Sequence, residues 1–198
     1  MSTRTTRAAA PEGLVPPVLG TDTSRRQLIE DAHKLGVPAD YGRARALRRV
    51  REPAALRFVG YDVNDRPQWL QPRAANAWFA LRHAAGLAQI ELQLVSAFRS
   101  VEYQLGILRR KLERGQTMDE ILRVSAAPGY SEHHSGRAMD LSTPGFAPLD
   151  EEFERSSAFA WLQRHAGAFG FVLSFPRGNR HGIAYEPWHW CWQAPPRR

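Results

Sequence analysis

Apolar residues recur at steps of three and four over several stretches of the chain, and these predict amphipathic helices. Ala74, Trp78, Leu81 and Ala85 give a helix over Pro72–Ala85, with Pro72 in its first turn and Gly86 closing it. Val101, Leu105, Leu108 and Leu112 give a second over Ser100–Arg114, ended by Gly115. Phe159, Leu162, Ala166 and Phe169 give a third over Glu151–Phe169, stopped at Gly170. Toward the N-terminus a helix is expected over Arg25–Leu35, where Ser24 and Gln27 suggest a capping box. A short helix is expected near Ala44–Arg51, and another follows Thr117, with Asp119 and Glu120 in its first turn.

Between the helices the period falls to two. Ile90, Leu92 and Leu94 alternate with Glu91 and Gln93, so a half-buried strand is expected up to about Phe98. Further strands are expected at Phe58–Val63, Ala138–Ser142, Phe171–Phe175 and Tyr185–Trp192, the last interrupted near its start by Pro187. Helices mixed with short strands, without a repeat or an internal linker, predict an α+β fold: one compact domain over residues 21–198 with a small antiparallel sheet flanked by helices. Residues 1–20 carry Thr, Arg, Ala and Pro without periodicity and read as a disordered leader.

Composition narrows the function classes modestly. The 198 residues are 43% hydrophobic and 24% charged, ordinary for a globular domain. No apolar run approaches the roughly 18–20 residues of a membrane span. The first ten residues lack the apolar core of a secretory signal. Twenty-seven basic residues against 20 acidic give a net charge of +7, which favours anionic partners. Basic residues are not interleaved with aromatics as a nucleic-acid surface requires, so none is expected as a partner. Cys191 is the single cysteine, which excludes an internal disulfide and a thiolate zinc cluster.

The chemistry concentrates in Ser131-Glu-His-His-Ser-Gly-Arg-Ala-Met-Asp140 and in Glu186-Pro-Trp-His-Trp190. His133, Asp140 and His189 offer two imidazoles and a carboxylate, a donor set suited to Zn²⁺ that leaves one position for water. His133 and Asp140 are seven residues apart, so a bend must intervene before both can reach one metal, and Gly136 is the expected bend. Glu186, three residues before His189, is a carboxylate able to exchange a proton with a reacting water. Taken singly each residue has a plainer reading: a histidine near Gly and Ser is more often a satisfied loop residue. His134 is read in that way and left out of the ligand set. Only the combination carries weight.

That combination resembles a known family. Ser131-x-His133-x-x-Gly136-x-Ala138-x-Asp140, then Glu186-Pro187-Trp188-His189, is similar to the zinc D-alanyl-D-alanine carboxypeptidases of the vancomycin-resistance type. Upstream, Ser96-x-Phe98-Arg99-Ser100 with Gln104 matches a further motif of that family. The resemblance implies His133, Asp140 and His189 as ligands of a catalytic zinc, Glu186 as the base, and Arg99 as the group that holds substrate and stabilises developing charge. It also implies Arg99, Gln104 and Ser131 as substrate contacts, peptidoglycan stem peptides as the partner, and the cell envelope as the place of action. Ser174 departs from the pattern, because it stands where relatives often carry an arginine; Arg177 is the available substitute, although an exposed turn arginine is its plainer reading.

The expected activity is therefore removal of a terminal D-Ala from peptidoglycan peptides. Cutting within the peptide, as an endopeptidase or a phage-type endolysin, and release of D-Ala from an L,D-bond are the nearest alternatives. With no visible signal peptide, cytoplasmic residence or phage-type release also stays open. A non-catalytic zinc-binding recognition module is the alternative of another class, and the presence of both Glu186 and Arg99 argues against it.

Overall fold

Strand pairing divides the molecule into a two-stranded hairpin and a four-stranded sheet, all pairs antiparallel. The computed structural model describes residues 11–194. The hairpin joins β1 (Arg57–Tyr61) to β2 (Pro67–Leu70). The larger sheet holds β3 (Gln93–Ser96), β4 (Ala138–Ser142), β5 (Phe171–Leu173) and β6 (His189–Trp192) in the order β3-β4-β6-β5. Among the described residues six helices surround them: α1 (Asp22–Lys34), α2 (Tyr41–Ala44), α3 (Pro72–Leu87), α4 (Val101–Glu113), α5 (Met118–Val124) and α6 (Ser157–His165). The expected α+β domain with a small antiparallel sheet is what forms. Among the described residues no helix is long and apolar enough to cross a membrane.

The period-two pattern of β4 divides its side chains between a hydrophobic core and a polar site. Met139 and Leu141 enter the main core with Trp190, Trp192, Phe171 and the inner faces of α3 and α6. Asp140 alternates with them and is therefore directed to the other face. The register continues that division across the ladder: Met139 opposes Trp190, and Asp140 opposes His189. Trp78 on α3 is fully buried in the same core and donates its indole N–H to the Val59 carbonyl at 3.3 Å. A second apolar cluster fastens α1, α4 and α5 together through Ala32, Leu105, Leu108, Ile121 and Leu122.

Several boundaries differ from the sequence expectation, each for a local reason. Helix α1 begins at Asp22 because the Thr21 hydroxyl accepts the Ser24 N–H; Ser24 is inside the helix and the expected Ser24–Gln27 capping box does not form. The expected helix over Ala44–Arg51 is displaced to Tyr41–Ala44, and Ala46 then turns to φ 50°. Strand β2 was hidden by its length of four residues. Helix α3 runs through Gly86 to Leu87. The expected 19-residue helix over Glu151–Phe169 is three pieces, because Ser156 is extended and caps α6 through the Phe159 N–H, leaving 3-10 turns over Glu151–Arg155 and Ala166–Phe169. Strands β3, β5 and β6 are each shorter than expected, β6 starting only at His189 after Pro187 removes a donor. By contrast, Thr117 caps its helix as expected, and with Glu120 it forms a capping box.

Of the expected leader, residues 1–10 lie outside the described residues. Leu14 and Leu19 pack against the cluster of Phe58, Trp69 and Phe98. The Gly20 N–H is held at 2.8 Å by Glu52 Oε2. The other oxygen of Glu52 accepts the Val101 N–H at 2.8 Å, and Arg25 Nη1 lies 3.6 Å away. One carboxylate, its side chain 1% exposed, thus caps the first turn of α4 and ties in the segment before α1. Replacing Glu52 by Ala strands these donors, so a loss of about 2 kcal/mol is expected. Thermal unfolding should then show a midpoint lowered by roughly 4–8 °C; an unchanged midpoint would show that water replaces the carboxylate without cost.

Candidate metal centre and active site

Three contacts bring the two chemical motifs into one place. Gly136, at φ 63°, ends the 3-10 turn Glu132–Ser135 and reverses the chain into β4, as the sequence required. A side chain there is excluded twice over, by the left-handed backbone and by Gln71 N, 2.9 Å from where a Cβ would sit. The turn is then held against the end of β3: Arg99 N–H donates to the His133 carbonyl at 3.3 Å, while His133 Nδ1 and His134 Nδ1 bond the carbonyls of Ala97 and Arg99. His134 uses its other nitrogen to accept the Gly129 N–H at 3.1 Å. Both its ring nitrogens serve the backbone, so it is a structural histidine, and burial pushes it down to about pKa 3.

His133, Asp140 and His189 offer ligand atoms that all lie within 4.8 Å of one another, and all three residues are buried. His133 Nδ1 donates to the Ala97 carbonyl, which fixes the tautomer and leaves Nε2 as a bare lone pair. That lone pair has no hydrogen-bond donor, and it faces Asp140 Oδ2 at 3.3 Å. Burial above all, and then the Arg99 charge, hold His133 down at about pKa 4, so at neutral pH a proton does not bridge the gap. Two electron-rich atoms at that distance repel unless a cation lies between them. Neutral imidazole, carboxylate and imidazole in a water-poor cradle are the donor set of a zinc site, and the residues fit the group.

His189 completes the set through the register of β6 against β4. Its Nδ1 lies 3.0 Å from Asp140 Oδ1 and its Nε2 lies 2.9 Å from Glu132 Oε2. Burial disfavours charge on this ring, but the bonds to Asp140 and Glu132 outweigh it and raise His189 to about 10. A metal held by this ring would take the place of a proton. Against the opposing effect of burial, His133 first and then His189 hold Asp140 well below the usual carboxylate range. Glu132 is likewise depressed to about 2, its burial being overcome by His189.

Glu132 escaped the sequence reading, because it occupies an unassigned position of the first motif and its partner lies 57 residues away. In the fold it is the carboxylate bonded to the far nitrogen of His189, fixing the ring's orientation and tautomer.

The remaining expected residues line the same 590 Å³ cavity. Glu186 Oε2 is 3.7 Å from His189 Nδ1. Burial raises Glu186 to about 7, with Asp140 and Glu132 adding to the effect and His189 and Arg99 opposing it. A carboxylate that exchanges its proton near neutrality is suited to acid and base duty alike. Arg99 Nη2 stands 4.0 Å from Asp140 Oδ2. Gln104 donates to the Ala126 carbonyl at 2.9 Å and keeps its buried Oε1 without a partner. Ser131 caps the 3-10 turn by accepting the His133 N–H at 3.4 Å. Arg177 is not brought to the cavity: it binds Glu151 and Glu154 at 3.2 and 2.8 Å and lies over the Tyr185 ring.

Removal of the Glu132 carboxylate tests the outer support of the cradle. Glu132→Ala is expected to bind Zn²⁺ about 10–100-fold more weakly in a chelator-competition titration, and Glu132→Gln, which keeps an acceptor, to recover part of the loss. Equal affinities for wild type and Glu132→Ala would remove Glu132 from the site.

Comparison with known proteins agrees with this geometry. The YodJ protein of Bacillus subtilis (strain 168) is 34% identical over 128 residues, covering 62% of this chain, and this chain spans only 45% of YodJ's length. The structure of the LdcB LD-carboxypeptidase superposes with a TM-score of 0.64 at 30% identity, covering 71% of this chain and 69% of that one. That of a vancomycin-resistance D,D-pentapeptidase, VanY, in complex with Zn(II) superposes with a TM-score of 0.55 at 23% identity, covering 75% and 87%, and so supports the fold. The model of the family VanY, D-alanyl-D-alanine carboxypeptidase, matches residues 67–195, from β2 through the last strand and thus across every residue of the cavity named above. With both motifs, the sheet and the cradle all inside that span, the chain belongs to the VanY family of peptidoglycan carboxypeptidases.

Proposed function

We infer that this protein is a zinc-dependent carboxypeptidase that removes the terminal D-Ala from D-Ala-D-Ala-ended peptidoglycan stem peptides. The observation that carries the reading is the bare, buried Nε2 of His133 facing Asp140 Oδ2 at 3.3 Å, with the proton-exchanging Glu186 beside the same pair. His133, Asp140 and His189 would hold the metal. Zinc, when bound, supplies a Lewis acid that polarises a carbonyl and makes water a nucleophile near neutral pH.

The chain's own residues do the rest. Glu186 takes a proton from the attacking water onto its carboxylate and returns it to the departing amine, so that D-Ala leaves without a free negative charge on nitrogen. Arg99, whose guanidinium reaches toward Asp140, offers fixed donors to the oxygen on which charge develops. Ser131 and Gln104 present a hydroxyl and an unpartnered amide oxygen to the bound peptide. Phe175, its ring 4.8 Å from that of His189, covers the cradle and keeps bulk water from one side of it. The protein's net charge of +7 favours approach to an anionic wall polymer.

Release of D-Ala from an L,D-bond is the second reading, favoured by the 30% identity and TM-score of 0.64 to an LD-carboxypeptidase. Both readings use the same cradle and base, and differ in the stereochemistry of the residue before the scissile bond. The test is zinc content together with D-Ala release from a pentapeptide ending in D-Ala-D-Ala and from the tetrapeptide ending in a single D-Ala. Wild type should bind one zinc and prefer the pentapeptide, and Glu186→Ala should keep the zinc while losing about 10²–10⁴-fold in kcat. Preference for the tetrapeptide would select the L,D reading. Full activity in Glu186→Ala would overturn the assigned base, and release without bound metal would overturn the metallopeptidase itself.

A further inference from the structure

Arg177 is committed to Glu151 and Glu154 and is not brought to the cavity. The cavity therefore needs another way to hold a free carboxylate if it is to act at a chain end. One face of α4 supplies it. Gln104, Ile107 and Lys111, spaced by three and four residues, all line the cavity. That face is bound to the stretch after α5 by two hydrogen bonds, Gln104 Nε2 to the Ala126 carbonyl at 2.9 Å and Lys111 Nζ to Ser125 Oγ at 3.2 Å.

Lys111 and Arg99 are the lysine and the arginine of the cavity wall. Lys111 is half-buried, and among the described residues its ammonium meets no carboxylate; the Ser125 hydroxyl is its hydrogen-bond partner, leaving two N–H donors unspent. Burial first, and then the like charge of Arg99, pull its amine below the ordinary lysine range, while Glu186 pulls it back up. Two like charges directed into one cavity repel each other, and an anion between them relieves the cost. Of the cavity's carboxylates, Glu132 pairs with His189, Asp140 with His133 and His189, Glu151 with Arg177, and Asp150 accepts the Glu152 N–H. Glu186, whose charge reaches Lys111, lies against His189 and forms no ion pair with the lysine.

We propose that Lys111, steadied by Ser125, holds the free α-carboxylate of the substrate's last residue and thereby makes this cavity an exopeptidase site. Each cation then has one duty, Arg99 the oxygen that gains charge and Lys111 the terminal carboxylate. The inference rests on the peptidase reading above and adds a specificity residue to it.

The experiment uses the zinc-loaded full chain and whichever stem peptide wild type cleaves faster, offered with a free C-terminal carboxylate and as its C-terminal amide. Values of kcat and KM are compared for wild type, Lys111→Met and Lys111→Arg, with zinc content and melting temperature as checks on folding. Wild type should favour the free acid by roughly 10–100-fold in kcat/KM, the range for a charge-assisted hydrogen bond. Lys111→Met should lose most of that preference through a raised KM for the acid, with the amide unaffected, and Lys111→Arg should retain much of it. An unchanged preference in Lys111→Met overturns the proposal, as does an equal loss on acid and amide, which would assign Lys111 to another carboxylate of the peptide or to structure. Equal cleavage of acid and amide by wild type leaves the peptidase reading standing and removes the exopeptidase inference. Inertness of wild type on both removes the reading and the inference together.

Discussion

The registration of β4 against β6 is the constraint on which the rest of the molecule depends. Asp140 opposes His189 because Met139 opposes Trp190 and Ala138 opposes Cys191. A slip of β4 by one residue would turn Asp140 into the core beside Trp190 and Phe171 and turn Met139 and Leu141 toward the cradle. Burying an unpaired carboxylate among those side chains costs several kcal/mol, and exposing Met139 and Leu141 to a polar cavity forfeits about 1.5–3 kcal/mol each. The hydrophobic core thus enforces the geometry of the site without touching it. Strand β3 secures the other edge, with Ser96 opposite Asp140, so the carboxylate is fixed from both sides of its strand.

What the sheet does for Asp140 and His189, backbone hydrogen bonding does for His133. The end of β3 and the 3-10 turn after Ser131 are joined by Arg99 N–H to the His133 carbonyl and by both histidine rings to carbonyls at 97 and 99. Two motifs joined by contacts across 35 and 36 residues of chain are therefore one physical unit, and Arg99 arrives at the cradle because its own backbone is part of the clamp. Glu52 continues the same chain of support, since it caps the helix that begins directly after Ser100.

The elements legible in the sequence were those with local causes. Helix α3 was announced by Pro72 and four spaced apolar residues, the short helix α5 by Thr117 and Glu120, and the reversal before β4 by Gly136, whose φ of 63° few other residues adopt. The motifs carrying the expected ligands and Glu186 were legible because they are compact in sequence, and the fold brings His133, Asp140, His189 and Glu186 to one cavity. Where causes are distant the reading failed or was silent. Strand β2 depends on its hairpin partner, and Ser156 breaks a helical pattern that its neighbours alone would continue. Glu132 meets His189 across 57 residues, and Lys111 meets the cavity only because α4 and the stretch at Ser125 are packed together. Spacing along a chain carries no information about such pairs.

A site of this kind is a poor way to stabilise a fold. Asp140, Glu132 and Glu186 are withdrawn from water within a few ångströms of two imidazoles and a guanidinium, and the His133 lone pair faces a carboxylate with no donor between them. Desolvation of such groups ordinarily exceeds what their mutual attraction returns, and a network left partly unsatisfied is worse than an apolar one of the same shape. The arrangement persists because the sheet and the turn over-determine it, so strain in the cradle is borne by packing elsewhere. Its groups are also divided by function. The carboxylates and imidazoles converge on one point, where a divalent cation resolves their repulsion, while Arg99 and Lys111 face the cavity from α4 and its approach, where an anion resolves theirs. Cation and anion needs are thus separated across a single cavity of 590 Å³. In the proposed reading that polarity would orient a peptide with its carbonyl on the metal side and its free end on the basic side, and so choose the bond that is cut.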